Sequence, residues 1–455
     1  MTTRIDALEL KNYRSFAELS ITFHPQLTVL VAPNGGGKTA ILDGLGVALY
    51  ALVDTLLEKN HCNGFVKTDV RIGRDRFAGG SMVSFTPTRL YARGIVHYDS
   101  IEWQCELAKP NGRMSRARAK EIVARGERYL EDLRAYADKK SKIPPIFPVI
   151  AYYGTGRLWS EHKLTAKKKQ IAEDLRFQTG AYADCLSSSS SYTHFAVWFE
   201  RVVREAQNEL QTGRASPHRP QAMLAAIRDA VDTVLRPSGW QQLDWDFLTS
   251  EIVASHPDHG RLPVNMLSDG IRNLIGFVAD LAHRAVRLNP HYRHEACFFS
   301  PGIVLIDEVD MHLHPEWQQL IVGQLREAFP RIQFVVTTHS PQVLSTVDKE
   351  SIRIIRIRDS IAIVETPQFQ TRGVESADVL ARIMGVDPVP HVEEASWLNR
   401  YRALIEDNEA ESAEALALRA QIVSHFGLNH PVVIDCDRLI RFQSFKVRRG
   451  RPEGT

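Results

Sequence analysis

The stretch Val29–Leu42, VLVAPNGGGKTAIL, constrains this chain more than any other. An apolar, strand-like run (Leu27, Val29, Leu30, Val31) enters a glycine-rich turn, and Lys38-Thr39 open a helix behind it. That is strand, phosphate-binding loop, helix, and it points to an α/β fold. Gly35, Gly36 and Gly37 let backbone N–H groups curl around an anion with no Cβ in the way. The helix N-terminus, where Ala40 follows in the same turn, adds partial positive charge to that cradle. Lys38 is placed to reach the β- and γ-phosphates of a nucleotide, and Thr39 to offer its hydroxyl to Mg²⁺. Ala32 stands where the pattern G-x-x-x-x-G-K-[ST] has glycine, and alanine is the smallest replacement.

Three later motifs bear on the same ligand. Leu267-Ser268-Asp269-Gly270 precedes an apolar helical pattern (Leu274, Ile275, Phe277, Val278, Leu281), so Ser268 and Gly270 offer a second anion site at a helix N-terminus. Gly302–Ile306 is an uninterrupted apolar strand ending in Asp307-Glu308. The first carboxylate can hold Mg²⁺ and the second can orient or deprotonate an attacking water. Gln333–Thr337 is another buried strand, ending in Thr338-His339-Ser340-Pro341, and a histidine at the carboxyl end of a parallel strand points into the ligand crevice.

Between and after these motifs the text changes character. Ile5–Leu10 alternates as a half-buried strand, Ile21–Phe23 resumes the pattern, and His61–Gln104 is strand-like. From Lys109 to Lys142 basic residues outnumber acids roughly two to one in helical text, which reads as a solvated face or a nucleic-acid contact. Val149–Tyr153 returns as a buried strand leading to Gly154-Thr155-Gly156-Arg157, which makes Arg157 a candidate site residue. Ser187–Ser191 reads as a loop tip, and Phe195, Trp198, Phe199, Val202 and Val203 recur at helical spacing as a core face. The expected organisation is a first part of the nucleotide-binding unit over 1–108 and a largely helical insertion over 109–259, with the returning strand near 146–160. A second part of that unit then covers 260–366, and 367–455 is a helical C-terminal segment with a basic tail, Phe445–Arg451.

Composition narrows the setting. A net charge of +2 gives no bulk attraction to nucleic acid, so any such binding comes from local patches. No apolar run is read as a membrane span. The N-terminus goes straight into a strand pattern without a signal peptide, and five scattered cysteines (Cys62, Cys105, Cys185, Cys297, Cys436) read as reduced thiols, so the expectation is a cytoplasmic protein.

Taken in order, the P-loop, the LSDG turn, the Asp307-Glu308 strand end and the Thr338-His339-Ser340 strand end resemble the ATPase head of the ABC superfamily, in its SMC/RecF branch. The resemblance implies a head-to-tail homodimer, or a higher even oligomer, with ATP sandwiched between one subunit's P-loop and the other's signature loop. It implies that Asn34 is the P-loop asparagine and that Asp307 supports Mg²⁺. It makes Glu308 the catalytic carboxylate and His339 the switch histidine near the γ-phosphate. Ser268 and Gly270 then act in trans, and Asp310 lies in the loop through which the two subunits communicate. The Q-loop glutamine of that family is not visible, and Tyr153–Arg157 occupies its part of the chain. In the signature, Asp269 replaces a glycine and Ile271 a glutamine.

A narrower likeness covers most of the chain. LKNYRSF, YYGTGRLW, LSDGIRNLIG, DEVDMHLHPEWQ and THSPQVLST together look like the bacterial ATPases labelled "ATP-binding protein involved in virulence", which include the ATPase subunit (PtuA) of Septu anti-phage defence. That resemblance implies an HNH nuclease partner of the PtuB kind. The rival readings are a RecF-like ATP-gated clamp on DNA or RNA and an ATPase with its own Toprim-type nuclease. For the latter the chain offers Glu365 and Asp435-Cys436-Asp437, but helical text separates them and only 18 residues follow Asp437.

Overall fold

The strand before the P-loop is buried along its whole length, and its neighbours on both sides determine where the site forms. The computed structural model describes residues 3–58, 64–74, 82–110, 112, 114, 118–156, 178–187, 192–214, 219–358 and 361–450. It divides into two compact units, Met1–Val379 and Leu380–Thr455.

The first unit is built on a mixed ten-stranded sheet in the order β7-β6-β1-β2-β15-β14-β3-β13-β12-β8. One half is antiparallel: the hairpins β1 (Arg4–Tyr13)–β2 (Phe16–Thr22) and β6 (Thr88–Val96)–β7 (Asp99–Leu107) are joined through the pairing of β1 with β6, and β4 (Arg71–Arg74) and β5 (Met82–Phe85) form a separate ribbon. Their alternation of apolar and polar residues suits a sheet with one face on the core. The other half is parallel: β8 (Val149–Tyr153), β12 (Gly302–Ile306), β13 (Ile332–Thr337) and β3 (Leu27–Val31) run side by side. Every residue of these four strands is buried, the continuous apolar run that parallel sheets covered on both faces require. β14 (Ile352–Arg358) and β15 (Ile361–Glu365) join the two halves.

The register decides the rest. Ile306 stands opposite both Tyr153 and Val336, and Thr337 opposite Leu30, so the four parallel strands end level with one another. The P-loop, the carboxylate pair and the histidine turn therefore leave the sheet at one edge. α1 (Lys38–Leu56) runs from the P-loop through the core with fifteen of its residues buried. It is long and apolar enough to cross a membrane, the one such helix among the described residues, which the sequence reading did not register; most of it is buried inside the fold.

Over 109–240 the described elements are α2 (Lys120–Ala137), β8, α3 (Tyr192–Thr212) and α4 (Pro220–Leu235). The helical character stops there. β9 (Gln241–Asp246), β10 (Glu251–His256) and β11 (Gly260–Pro263) form a three-stranded antiparallel sheet with Leu243, Ile252 and Ala254 buried, against the expectation of helix up to 259. Strands this short, carrying Gln241, Gln242 and Asp244 between the apolar residues, give too few turns of either period to separate the two patterns. α5 (Asp269–Leu288) follows, and α6 (Ile321–Ala328) packs against α4.

After α7 (Ser376–Arg382), the second unit consists of α8 (Glu393–Glu406), α9 (Ala413–Phe426) and α10 (Pro431–Gly450) around a small core of Tyr401, Leu404, Ile405, Ala415, Ile422, Val433 and Cys436. Asp435 and Asp437 lie on α10, not at a strand end; Arg438 pairs with Asp435, and Arg419 with Asp437 at 2.5 Å. The basic stretch from Phe445 continues the same helix to Gly450 instead of leaving it as a tail, and Arg451 lies outside the described residues.

Cys105, Cys185, Cys297 and Cys436 are buried free thiols, and burial raises the pKa of each; Cys105 and Cys185 are pushed up to about 12. Cys62 lies outside the described residues.

Candidate functional site

The P-loop owes its shape to three glycines and to what stands behind them. Gly35 (φ 75) and Gly37 (φ 85) adopt left-handed backbone, which a side chain would strain. A Cβ on Gly37 would also lie 2.2 Å from Cζ of Phe16, so the aromatic ring of the β1–β2 hairpin packs directly against the loop. The same hairpin holds the helix behind the loop. Arg14 pairs with Asp43 of α1 and, at 2.8 Å, with the buried Asp69. Burial raises the Asp43 carboxyl above its ordinary value in spite of the Arg14 charge beside it. LKNYRSF thus braces the P-loop from the side.

Lys38 is buried, and its ammonium donates to the carbonyl oxygens of Ala32 (2.8 Å) and Pro33 (3.4 Å). Burial lowers its pKa, against the pull of Asp307, Glu308 and Asp310. Those three carboxylates follow β12, which β13 separates from the P-loop strand. Thr39 Oγ1 donates to Asp307 Oδ2 over 2.8 Å, which joins the first turn of α1 to the end of β12.

Thr337, the last residue of β13, completes the centre. Its hydroxyl donates to Asp307 Oδ1 (2.6 Å) and accepts the amide of Glu308 (2.7 Å). The Asp307 amide donates to the Tyr153 carbonyl at 2.8 Å, which extends the ladder to the end of β8. Glu308 takes a left-handed backbone (φ 50), uncommon for a residue with a side chain and a strain of about 1–3 kcal/mol that surrounding contacts must hold.

Beyond it, Asp310 accepts from Thr338 Oγ1 at 2.6 Å, and Ser340 donates to Gln318 Oε1 at 2.7 Å. His339 lies between these two anchored residues, half-exposed. The signature residues are near at hand. Ser268 stands at the N-cap of α5, exposed, and Gly270 is buried where a Cβ would lie 2.4 Å from the His312 carbonyl oxygen. The signature helix therefore rests on the loop that carries Glu308 and Asp310 in the same chain.

The structure thus brings Lys38, Thr39, Asp307, Glu308, Asp310 and His339 to one sheet edge, with Asn34 exposed on the loop and Ala40 buried in the first helical turn. Arg157 lies outside the described residues, and of the stretch standing in for the Q-loop only Tyr153–Gly156 is described. Thr337, Arg14, Asp43 and Phe16 were not picked out as site residues in the sequence. For Thr337 the signal was a polar residue closing an otherwise apolar strand.

Mg²⁺ fits this donor set. One hydroxyl and one carboxylate lie within hydrogen-bond distance of each other at the end of β12. That is the sparse protein contribution expected where phosphates and water supply the remaining ligands.

Tyr153 also ties the site to the helix behind it. Its hydroxyl donates to Asp280 Oδ2 (2.8 Å), and Arg284 Nε donates to the same oxygen at 2.8 Å, all three residues buried. Asp280 is held well below the usual carboxylate range by Arg284 and His283 in spite of its burial.

A family model described as AAA domain matches residues 7–212, and one described as "AAA domain, putative AbiEii toxin, Type IV TA system" matches residues 212–345. Retron Vc95 probable ATPase of Vibrio cholerae is 25% identical over 93% of this chain and 87% of its own length. Septu protein PtuA of Bacillus thuringiensis is 20% identical over 90% of this chain and 92% of its own. DNA replication and repair protein RecF of Lactobacillus johnsonii is 32% identical over 45% of this chain and 42% of its own. The P-loop, the Asp307-Glu308 strand end and these relatives agree: the chain is an ATPase of the ABC/SMC/RecF type that resembles Septu PtuA and the retron ATPases.

Proposed function

We propose that this ATPase binds ATP with Mg²⁺ between the heads of two copies and that ATP-dependent dimerisation controls a partner HNH nuclease, as part of a Septu-like anti-phage complex in the cytoplasm. The observation that supports the catalytic part is the continuous hydrogen-bonded chain Thr39–Asp307–Thr337–Glu308, which joins a P-loop hydroxyl and the Asp307 carboxylate to the backbone of Glu308. Bound by Thr39 and Asp307, Mg²⁺ would neutralise charge on the β- and γ-phosphates. Asn34 to Ala40 cradle the phosphates, and Lys38 turns its ammonium from the loop carbonyls to them. Glu308 orients and deprotonates the attacking water. His339 stabilises the γ-phosphate side, and Asp310 senses it through Thr338. Ser268 and Gly270 complete the site of the second copy.

The defence reading is supported by relatives that match over nine-tenths of the chain and are named for Septu and for retrons. In this reading 1–108 and 260–366 make the head, 109–259 the insertion, and 367–455 the segment that reports to the nuclease. A RecF-like clamp on DNA or RNA is the second reading, favoured by the RecF similarity and by the arginines of α2. A Toprim-type nuclease in the chain itself loses support from the helical placement of Asp435 and Asp437.

Mixing a Lys38→Ala chain with a Ser268→Arg chain tests the shared site. One composite site per dimer stays intact, so activity above either parent alone is expected, and none would refute sharing in trans. Adding the protein encoded beside this chain, with DNA, ATP and Mg²⁺, tests the partner. Cleavage by the chain alone, abolished by Asp435→Ala, would overturn that part of the reading.

A further inference from the structure

Past the C-terminal end of α5 lies a surface cavity of about 450 Å³. α5 starts at the signature residues and runs for 20 residues, so the cavity stands about 30 Å from Ser268 at 1.5 Å per residue. It sits beside the segment that enters β8, whereas the P-loop and Asp307 gather where the parallel strands end. Its walls are fixed. The Asn289 carboxamide exchanges two hydrogen bonds of 2.9 Å with the backbone of Phe147, and Gln178 donates to the Leu288 carbonyl.

Among the described residues the lining carries Arg219, Arg293 and His291 and no carboxylate. Many of the described arginines sit against an acid, as Arg14, Arg228, Arg284 and Arg419 do. Among the described residues neither Arg219 nor Arg293 has an ion-pair partner. Both hold left-handed backbone, φ 50 and φ 56, a conformation that costs a residue with a side chain and that recurs at ligand clamps. His291 Nε2 is buried without a hydrogen-bond partner among those residues, and Tyr136 presents a ring 42% exposed. Two arginines lining one cavity, with no ion-pair partner among the described residues, suit an anion with several acceptor oxygens. The volume lies within the range of about 300–1,000 Å³ typical of small-molecule sites. An aromatic face beside paired arginines is the arrangement that holds a nucleotide by phosphate and base together.

We propose that this cavity is a second ligand site, separate from the ATP site, that holds a nucleoside phosphate with Arg219 and Arg293 on the phosphate and Tyr136 against the base. A free nucleotide and the phosphorylated end of a single strand share that chemistry.

The test uses the full chain with its P-loop saturated by ADP and Mg²⁺. The probes are dye-labelled thymidine monophosphate and a dye-labelled 5′-phosphorylated oligothymidylate, read by fluorescence anisotropy. At least one probe binds, and binds Lys38→Ala equally well; which one binds identifies the source of the phosphate. Arg219→Ala and Arg293→Ala each weaken binding roughly tenfold. For the oligonucleotide the double substitution flattens the salt slope by about 1.4. Arg293→Lys keeps the charge and recovers part of the affinity, and thermal unfolding of all variants checks that the fold is intact. The proposal is overturned if neither probe binds, if Lys38→Ala abolishes binding, or if the double substitution leaves it unchanged. None of these results depends on whether the chain hydrolyses ATP, so a failure here and a failure of the ATPase reading are distinct.

Discussion

The hydroxyl of Thr337 donates to the carboxylate of Asp307 over 2.6 Å and accepts the amide of Glu308 at 2.7 Å. One side chain on β13 thereby holds the Asp307 carboxylate and the Glu308 backbone at the end of β12. Replacing it with valine keeps the shape and leaves a buried carboxylate oxygen and an amide short of a partner, a loss of about 1–3 kcal/mol. Thr337→Val should lower ATP turnover roughly tenfold or more with little change in nucleotide affinity, and Thr337→Ser should restore most of it. Steady-state turnover beside equilibrium nucleotide binding reads the two separately, and equal loss in both variants would remove Thr337 from the site.

Glu308→Gln should leave ATP binding intact and lower turnover by about 10²–10⁴-fold, the range that a positioned base contributes. The amide keeps the side chain's volume in its strained turn at φ 50, so the loss isolates the proton-accepting role. Single-turnover hydrolysis decides it; a wild-type rate would take the base role from this residue.

At Gly270 there is no room for a methyl group, because a Cβ would meet the His312 carbonyl oxygen at 2.4 Å. Gly270→Ala should push the signature helix off the loop that carries Glu308 and Asp310. The expected result is lost turnover and lost ATP-dependent dimerisation, with ATP binding by the single head retained. Mass measurement in solution with and without ATP, alongside nucleotide titration, separates these effects.

The His283 ring is buried against Trp198, and its pKa is lowered to about 3, chiefly by burial and further by the charges of Arg287 and Arg284, with Asp280 opposing. Its folded-state value thus lies below the value of about 6.5 expected when unfolded. Between those values the unfolded chain binds more protons, so stability rises with pH. The neutral ring's contribution is complete above about pH 6.5 and is lost as the pH falls towards 3, with a slope of up to about 1.4 kcal/mol per pH unit. His283→Phe should flatten the fall in denaturation midpoint between pH 6.5 and 4; an unchanged slope would place the acid sensitivity elsewhere.

The site was legible in the sequence where the ligand dictates spacing. Lys38 and Thr39 must follow their glycines at fixed positions, and Asp307-Glu308 must end a buried strand, so the order of residues carries the geometry. It was not legible where the contact joins distant parts of the chain. Nothing in the text says that Arg14 reaches Asp43, that Phe16 covers Gly37, or that Tyr153 meets Asp280, because each partner alone reads as an ordinary core or surface residue. The sheet of β9–β11 escaped for a different reason: its strands are too short for their period to show. The end of α10 was read as a tail because its basic residues mask the helical repeat that Phe442 and Phe445 continue.

The buried thiols give the molecule built-in reporters of its own opening. Cys105 lies on β7, Cys185 after β8, Cys297 behind α5 and Cys436 on α10, and burial keeps each protonated and out of reach of solvent. A thiol-reactive reagent attacks the thiolate, so each position is modified only when its surroundings come apart. The order in which the four are modified would trace which part of the chain loosens first, and repeating it with ATP would show which parts the nucleotide holds shut.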